Sequence, residues 1–362
     1  SMLNSWLESS FQHLSSSIKQ GRVPHSIIIS GDNTLGGASL ALEIAKLILC
    51  ENRQGDKCCD NCKSCLLFNN LQQGSHPDFL SVLSATTEQV DNGADLSHNF
   101  KDLLSDMGTP LLEESLTPVK GNKSIKVESI RRLCEWIVEG SILGNGKVCV
   151  VSNAQLMNEA SSNALLKTFE EPPKDSCIIL LTSTFDALPA TILSRALKIQ
   201  LPSVEERVGI DYLSKELKDN FNQDRARVCL ELAKSSPIGA LQYYNEQLDL
   251  IATEILQGLN DAIENRVNEQ KVVSSLNKLT DEQKALILRV FIKDLLKYKA
   301  RVSKEQLPLL RQVNLDNLCK LSAVSLFKAY NLLTFVNVTD AKLPSRAPNC
   351  LLSAFIQALR AK

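Results

Sequence analysis

The sequence has almost no net charge: 40 lysines and arginines face 41 aspartates and glutamates over 362 residues, a balance of −1. A chain that gripped nucleic acid through bulk charge is expected to be more basic, so any such role must be local or shared with partners. Aromatic residues are also scarce, 5% and dispersed, which argues against a base-stacking surface. No apolar run approaches the roughly 18 residues that would cross a bilayer. The opening Ser-Met-Leu-Asn-Ser-Trp-Leu-Glu lacks the basic-then-apolar order of a secretion signal. A soluble, cytoplasmic chain with no membrane partner is therefore expected. With only 15 glycines and 12 prolines, collagenous and low-complexity architectures are excluded. What the chain has is length and apolar content (44% apolar, 22% charged), enough for two or three domains with their own cores.

Up to Pro202 the pattern alternates strand and helix. Short β-branched runs at Ser26–Ser30, Lys147–Ser152, Ser176–Thr182 and Leu197–Leu201 read as buried strands. Helical spacing marks Ser39–Leu49 and Asn158–Glu170, the latter stopped by Pro172 and Pro173, which lack the amide hydrogen and clash with the preceding turn. This alternation predicts a parallel sheet covered by helices. After Pro202 the pattern is amphipathic helix throughout, with short helices to residue 247 and a longer block from 248 to 362. Between them in character stands the polar, net acidic segment 84–122, carrying Asp91, Asp95, Asp102, Asp106, Glu113 and Glu114 against Lys101 and Lys120. It is too long for a structureless loop and reads as an insertion, partly helical or mobile, a solvated acidic excursion without specific function.

Eleven cysteines matter less by number than by placement. Cys134, Cys149, Cys177, Cys229, Cys319 and Cys350 lie singly among apolar neighbours and read as buried small hydrophobes. The others crowd together as Cys50-x8-Cys59-x2-Cys62-x2-Cys65, with Cys58 beside the second. Four thiolates satisfy a tetrahedral Zn²⁺, and two-residue spacers let one tight turn present neighbouring sulfurs to the same ion. Nothing suggests an open coordination position, so the predicted site is structural. Cys58 is an alternative to Cys59, at a wider spacing, and a metal-free reduced cluster is the plainer alternative to both.

A second motif is incomplete. Gly31-Asp-Asn-Thr-Leu-Gly36-Gly37-Ala38 follows a strand and precedes a helix, where a phosphate loop belongs. Such a loop needs lysine for the β/γ-phosphates and a hydroxyl for Mg²⁺; here Gly37 and Ala38 take those places. After Val148-Cys-Val-Val151 an acidic residue should hold the metal, but Ser152 and Asn153 follow. Losses in two places predict no ATP bound in cis, a scaffold without its own ATPase, although backbone amides could still hold nucleotide weakly.

In this order the pieces resemble the δ′ family of bacterial DNA polymerase III clamp-loader subunits, within the AAA+ superfamily. The resemblance rests on Pro24-His25, the cysteine knuckle at 50–65, Gly74-Ser-His-Pro-Asp78 and Ser124-Ile-Lys-Val-Glu128. It continues through Asn163-Ala-Leu-Leu-Lys-Thr-Phe-Glu-Glu-Pro-Pro173 and Leu188-Pro-Ala-Thr-Ile-Leu-Ser-Arg195. It spans residues 24–196; the C-terminal half fits only by length and helical character, and the acidic insertion at 84–122 departs from the family pattern.

The resemblance implies an AAA+ module over 1–202 with helices on both sheet faces and the zinc knuckle inserted. A small helical lid over 203–247 and an all-α collar over 248–362 would follow. It implies γ/τ and δ partners in a heteropentamer, and contact with the sliding clamp and primer-template DNA through that complex, as part of a DNA-directed DNA polymerase holoenzyme. The family's Ser-Arg-Cys motif, here Ser194-Arg195-Ala196, implies that Arg195 is an arginine finger presented in trans to ATP on the adjacent subunit. The lid arginine that senses nucleotide corresponds to Ile238, a third loss in the same direction. Lys167, Glu170 and Glu171 are expected to shape their helix end and its interface. An AAA+ ATPase with unconventional residues and an independent zinc-containing DNA-binding protein are the competing functions.

Overall fold

In a computed structural model the described residues are 3–108, 122–264, 269–339 and Gln357. They fall into two compact units, Ser1–Ser203 and Val204–Lys362.

The first unit is built on a sheet. Helix α1 (Glu8–Lys19) leads into β1 (Ser26–Ser30), α2 (Gly37–Leu49) and the short α3 (Lys63–Leu67). Then come β2 (Phe79–Val82), α4 (Thr87–Asp91), β3 (Leu96–Ser97), α5 (Phe100–Asp106) and α6 (Val127–Val138). The unit continues with β4 (Lys147–Val151), α7 (Glu159–Glu170), β5 (Ser176–Thr182), α8 (Ala190–Leu193) and β6 (Leu197–Gln200). The strand order is β3-β2-β4-β5-β1-β6. The pairs β2–β4, β4–β5, β1–β5 and β1–β6 are parallel, and β3 joins β2 antiparallel. The α/β expectation therefore holds, with one antiparallel edge strand added to a parallel sheet.

Residues along β1, β4 and β5 are buried throughout because alternate side chains point to opposite faces and both are covered. On one face Ile28, Cys149, Val151, Ile178 and Leu180 pack with Ile130 and Leu133 of α6, Leu165 and Phe169 of α7 and Ile192 of α8. On the other, α2 lies against β4 and β5 and is itself flanked by α1. Helix α7 begins where the Asn158 side chain accepts from the Ser161 N–H, satisfying one of the amides that a helix start leaves unpaired.

Two expectations change here. Strand β2 has no counterpart in the sequence reading: Phe79-Leu-Ser-Val82 is only four residues long, yet all four are buried. The segment 84–122 is no solvated excursion. Within the described residues it supplies α4, β3 and α5, and Phe100, Leu103, Leu104 and Met107 are core residues. Its Asp95 is buried, accepting from the Ser129 hydroxyl and from Arg132. Glu113, Glu114 and Lys120 lie outside the described residues.

The second unit is helical as expected among the described residues: α9 (Glu206–Leu217), α10 (Gln223–Leu232), α11 (Pro237–Asn245), α12 (Leu248–Glu264) and α13 (Glu269–Leu276). After them come α14 (Asp281–Lys299), the short α15 (Pro308–Arg311) and α16 (Ala323–Thr339). One apolar cluster joins α9, α10 and α11 around Leu213, Cys229, Leu230 and Tyr244. A larger one is centred on Ile255, Leu259, Phe291 and Leu295 of α12 and α14. Arg225 fixes α10 to the start of α12 with paired bonds to Asp249 at 2.8 and 2.9 Å while stacking over Tyr244. Burial raises the Glu231 carboxyl to about 9, with neighbouring Asp294 adding to the shift. Glu231 still accepts from the Leu309 N–H at 3.0 Å, which ties α10 to α15.

Among the scattered cysteines, Cys149, Cys177 and Cys229 are buried as expected, Cys134 is half-buried, and Cys319 is exposed. Cys319 sits in a short turn just before α16, where its Sγ donates to the Asp316 carbonyl. Cys350 lies outside the described residues. Among the described residues, no helix is long and apolar enough to cross a membrane.

Candidate functional site

The cysteine knuckle forms between two helix ends. Helix α2 stops at Cys50, whose extended backbone turns the chain away. Cys62 caps α3, its Sγ accepting from the Cys65 N–H at 3.3 Å. The Cys59 N–H points at Cys50 Sγ and the Cys62 N–H at Cys59 Sγ, each at 3.3 Å. The ligand atoms of Cys50, Cys59, Cys62 and Cys65 all lie within 4.8 Å of one another, and Cys59 Sγ is 4.0 Å from Cys65 Sγ. Tetrahedral Zn–S bonds of about 2.3 Å place sulfurs about 3.8 Å apart, so the four fit one ion with a contraction of at most about 1 Å. Cys58 is outside the group.

The chemistry of the donor set fits as well. Burial pushes the Cys50 and Cys65 thiols up. Backbone N–H donors, Asn61 first, draw Cys59 down to about 6. Protonated thiols clustered this closely gain little from one another, whereas a soft divalent cation would hold all four as thiolates. This four-cysteine cluster can hold a zinc ion.

The Gly74-Ser-His-Pro-Asp78 motif explains how the knuckle is tied to the sheet. His76 Nδ1 accepts from the Asp78 N–H at 3.0 Å, so Nε2 carries the proton and donates to Ser64 Oγ of α3 at 2.9 Å. Burial lowers the His76 ring to about 4, so it stays neutral. Asp78 in turn accepts from the backbone N–H groups of Ile142 and Leu143 at 2.7 and 2.8 Å. Gly74 is required by space: a Cβ there would lie 2.2 Å from the Asn70 carbonyl oxygen.

The loop after β1 is a short capped turn that opens with a carboxylate and closes with a glycine. Asp32 takes the cap of a short 3₁₀ turn over Asn33–Leu35, accepting from the Thr34 N–H at 2.9 Å, and so places a carboxylate where an anion would approach. Gly36 turns in the left-handed region (φ 95°), where glycine carries no steric penalty. At Gly37 a Cβ would meet only ordinary contacts, the first at 3.6 Å, so space does not explain the missing lysine. Trp6 donates from Nε1 to the Leu35 carbonyl at 2.9 Å and pins the loop from the N-terminal side.

At the end of β4 the structure adds a residue that the sequence reading missed. Asp106, its side chain 5% exposed, accepts from the Ser84 N–H and hydroxyl at 2.9 and 2.7 Å. It also accepts from the Ser152 hydroxyl and from Asn153 Nδ2 at 3.3 Å, and pairs with Lys123 at 3.3 Å. Asn153, itself in a left-handed conformation that asparagine tolerates, accepts at Oδ1 from Asn33 Nδ2 at 3.2 Å. A continuous chain Asn33–Asn153–Asp106 thus spans the ends of the strands. No sequence spacing links Asp106 to Ser152, 46 residues away; the only signal is two unusual polar residues closing an apolar strand.

Removing that carboxylate should be costly. Asp106→Ala strands the buried Ser84 amide and the Ser84 and Ser152 hydroxyls, unpairs the partly exposed Lys123, and is expected to destabilise the first unit by about 2–4 kcal/mol. Exposed Asp91→Ala in the same segment should stay within about 0.5 kcal/mol. Denaturant titration of both variants checks this, and equal effects would show that the segment is only a solvated excursion.

Arg195 follows the single-turn helix α8 and is partly exposed, its side chain at 31%. Nη1 donates to the Thr191 carbonyl at 2.7 Å and to Ser194 Oγ at 3.1 Å, and Nε lies 3.2 Å from Glu170 Oε1. Ile238, in α11, is buried at 7% exposure.

A protein-family model described as DNA polymerase III, delta subunit, matches residues 6–205, more than half of the 362. The chain belongs to that family. Curated family relatives include DNA polymerase III subunit delta′ of Escherichia coli K12, 30% identical over 239 residues, which is 66% of this chain and 60% of that protein. The Yersinia pestis subunit delta′ is 25% identical over 316 residues, 85% of this chain and 82% of its own. DNA polymerase III subunit tau of E. coli K12 is 24% identical over 77% of this chain and 36% of its own. Among solved structures, a gamma subunit-related protein from Thermotoga maritima aligns with a TM-score of 0.47 at 16% identity, covering 98% of this chain and 99% of that one. The family match takes in the cysteine knuckle, the Gly31–Ala38 loop and Arg195, and it ends within two residues of the boundary between the two units.

Proposed function

We propose that this chain is a non-hydrolysing δ′-type subunit of a DNA polymerase III clamp loader. Family membership supports the general reading, and the relatives include proteins named delta′, gamma and tau. In this reading residues 1–202 form the AAA+ module, 203–247 the lid and 248–362 the collar. The chain assembles with γ/τ and δ subunits and acts with them to place the sliding clamp on primed DNA.

The observation that carries the non-hydrolysing part is the chain Asn33–Asn153–Asp106 across the strand ends. Nucleotides in open α/β sheets bind outside the carboxyl ends of the strands. Here that ground holds protein hydrogen bonds and the carboxylates of Asp32 and Asp106, and the lysine that reaches Asp106, Lys123, is spent on pairing with it. Ser152 and Asn153, which stand where a metal-binding acid would, are spent on Asp106. Ile238 in place of a nucleotide-sensing arginine agrees with the same reading.

Arg195 has the opposite character. It is a cation at the surface, following the motif that the family uses to reach a neighbour's nucleotide, and it stabilises charge on the transferring γ-phosphoryl in trans. Cys50, Cys59, Cys62 and Cys65 hold a structural Zn²⁺ that cross-links the ends of α2 and α3 and supplies no reaction chemistry. Mixed with γ/τ and δ chains, the protein should co-elute in one complex whose DNA-stimulated ATP hydrolysis requires it. Failure to co-elute overturns the proposal.

A further inference from the structure

We propose that Glu170 is a positioning residue for Arg195: its carboxylate holds one edge of the guanidinium so that the Nη2 donors face outward toward a phosphate oxyanion on a neighbouring subunit. The proposal rests on the trans-arginine reading and extends it to a residue on a different helix.

Three observations carry it. The first is the division of donors. Nη1 is occupied by the Thr191 carbonyl and Ser194 Oγ and Nε faces Glu170 at 3.2 Å, while Nη2 makes no hydrogen bond among the described residues. A guanidinium held on two sides with its third nitrogen free is pre-oriented for a charged oxygen.

The second is that the hold is incomplete. Arg195 Nε is shielded from solvent yet makes no well-directed hydrogen bond. Its nearest acceptor, Glu170 Oε1, therefore acts through charge more than through a saturated bond. Such a contact orients the group without fixing it so tightly that engaging phosphate would be opposed.

The third is the odd placement of Glu170. It is the last residue of α7, at the negative end of the helix dipole, where an acid is disfavoured and a cation preferred. Glu170 also lines an open groove of about 490 Å³ together with Arg22, His25 and Lys174, yet among the described residues the ion pair it makes is with Arg195. A residue that is locally unfavourable and pairs selectively is one whose reason lies in its partner.

The test is ATP hydrolysis by the reconstituted complex carrying wild type, Glu170→Ala, Glu170→Gln, Arg195→Ala or the double variant. Glu170→Ala should lower kcat about 2- to 5-fold with KM for ATP unchanged, the scale of a partly exposed ion pair. Glu170→Gln keeps the shape but removes the charge and should lower kcat about as far as Glu170→Ala. In the Arg195→Ala background, Glu170→Ala should have no further effect. An equal loss in both backgrounds, or a loss seen in KM alone, marks Glu170 as merely structural and overturns the proposal. A rate unchanged by Glu170→Ala while Arg195→Ala is impaired also overturns it and leaves the finger standing. An unimpaired Arg195→Ala complex overturns the finger reading itself.

Discussion

Arg195→Ala should reduce ATP turnover at the neighbouring subunit's site by about 10³-fold or more while leaving the melting temperature of the chain and its assembly unchanged. The size follows from where the charge acts. At a phosphoryl-transfer site that excludes water, one guanidinium offsets charge that develops only in the transition state, so its loss falls on kcat. The folded chain loses little by comparison. The side chain is 31% exposed and its pairing with Glu170 is half-exposed, and ion pairs of that kind contribute at most about 1 kcal/mol. Arg195→Lys should rescue poorly, because an ammonium cannot bond Thr191, face Glu170 and present a fork to phosphate at once. Phosphate release by the reconstituted complex checks this. Full activity of the alanine variant would remove Arg195 from the mechanism.

The second large effect is metal removal. Zinc binding to thiolate sets is folding energy, about 10–16 kcal/mol apparent in small zinc peptides, comparable with the whole stability of an ordinary domain. Chelation should therefore open the knuckle and lower the melting temperature of the first unit markedly. Freshly purified protein should carry one zinc per chain. Cys59→Ser is the variant of choice, since Cys65 is fully buried and its replacement would carry a packing cost of its own. Cys58→Ser, outside the four-sulfur group, should retain zinc and melt within a few degrees of wild type. Protein free of zinc, with a melting curve indifferent to chelator, would contradict the assignment.

Much of the first unit was legible because its signals are local. The β-branched runs of β1, β4 and β5 are buried on both faces and read as continuous apolar stretches, and Pro172 and Pro173 mark the end of α7 chemically. The cysteine spacing pointed to a set of four sulfurs, and folding brings those four together. Strand β2 was not legible: four residues after a proline-containing turn carry too little pattern to stand out from a loop. The acidic segment was misread for a deeper reason. Composition counts its carboxylates as solvated, but Asp95 and Asp106 become buried acceptors only when Arg132, Ser84, Ser152 and Lys123 are brought to them by other elements. Cys319 was expected in the core and is exposed, because the leucines around it supply the packing of that short turn. The pairing of Glu170 with Arg195 likewise has no spacing to betray it, since it arises where two helices meet.

Titration of the purified chain with magnesium and ATP, binding followed by equilibrium dialysis and turnover by phosphate release, bears most directly on the central claim. No saturable magnesium-dependent binding in the millimolar range and no hydrolysis by the chain alone are expected, with ATPase activity returning on assembly with γ/τ and δ. Saturable binding with turnover by the chain alone, abolished by changes in the 31–38 loop, would contradict it.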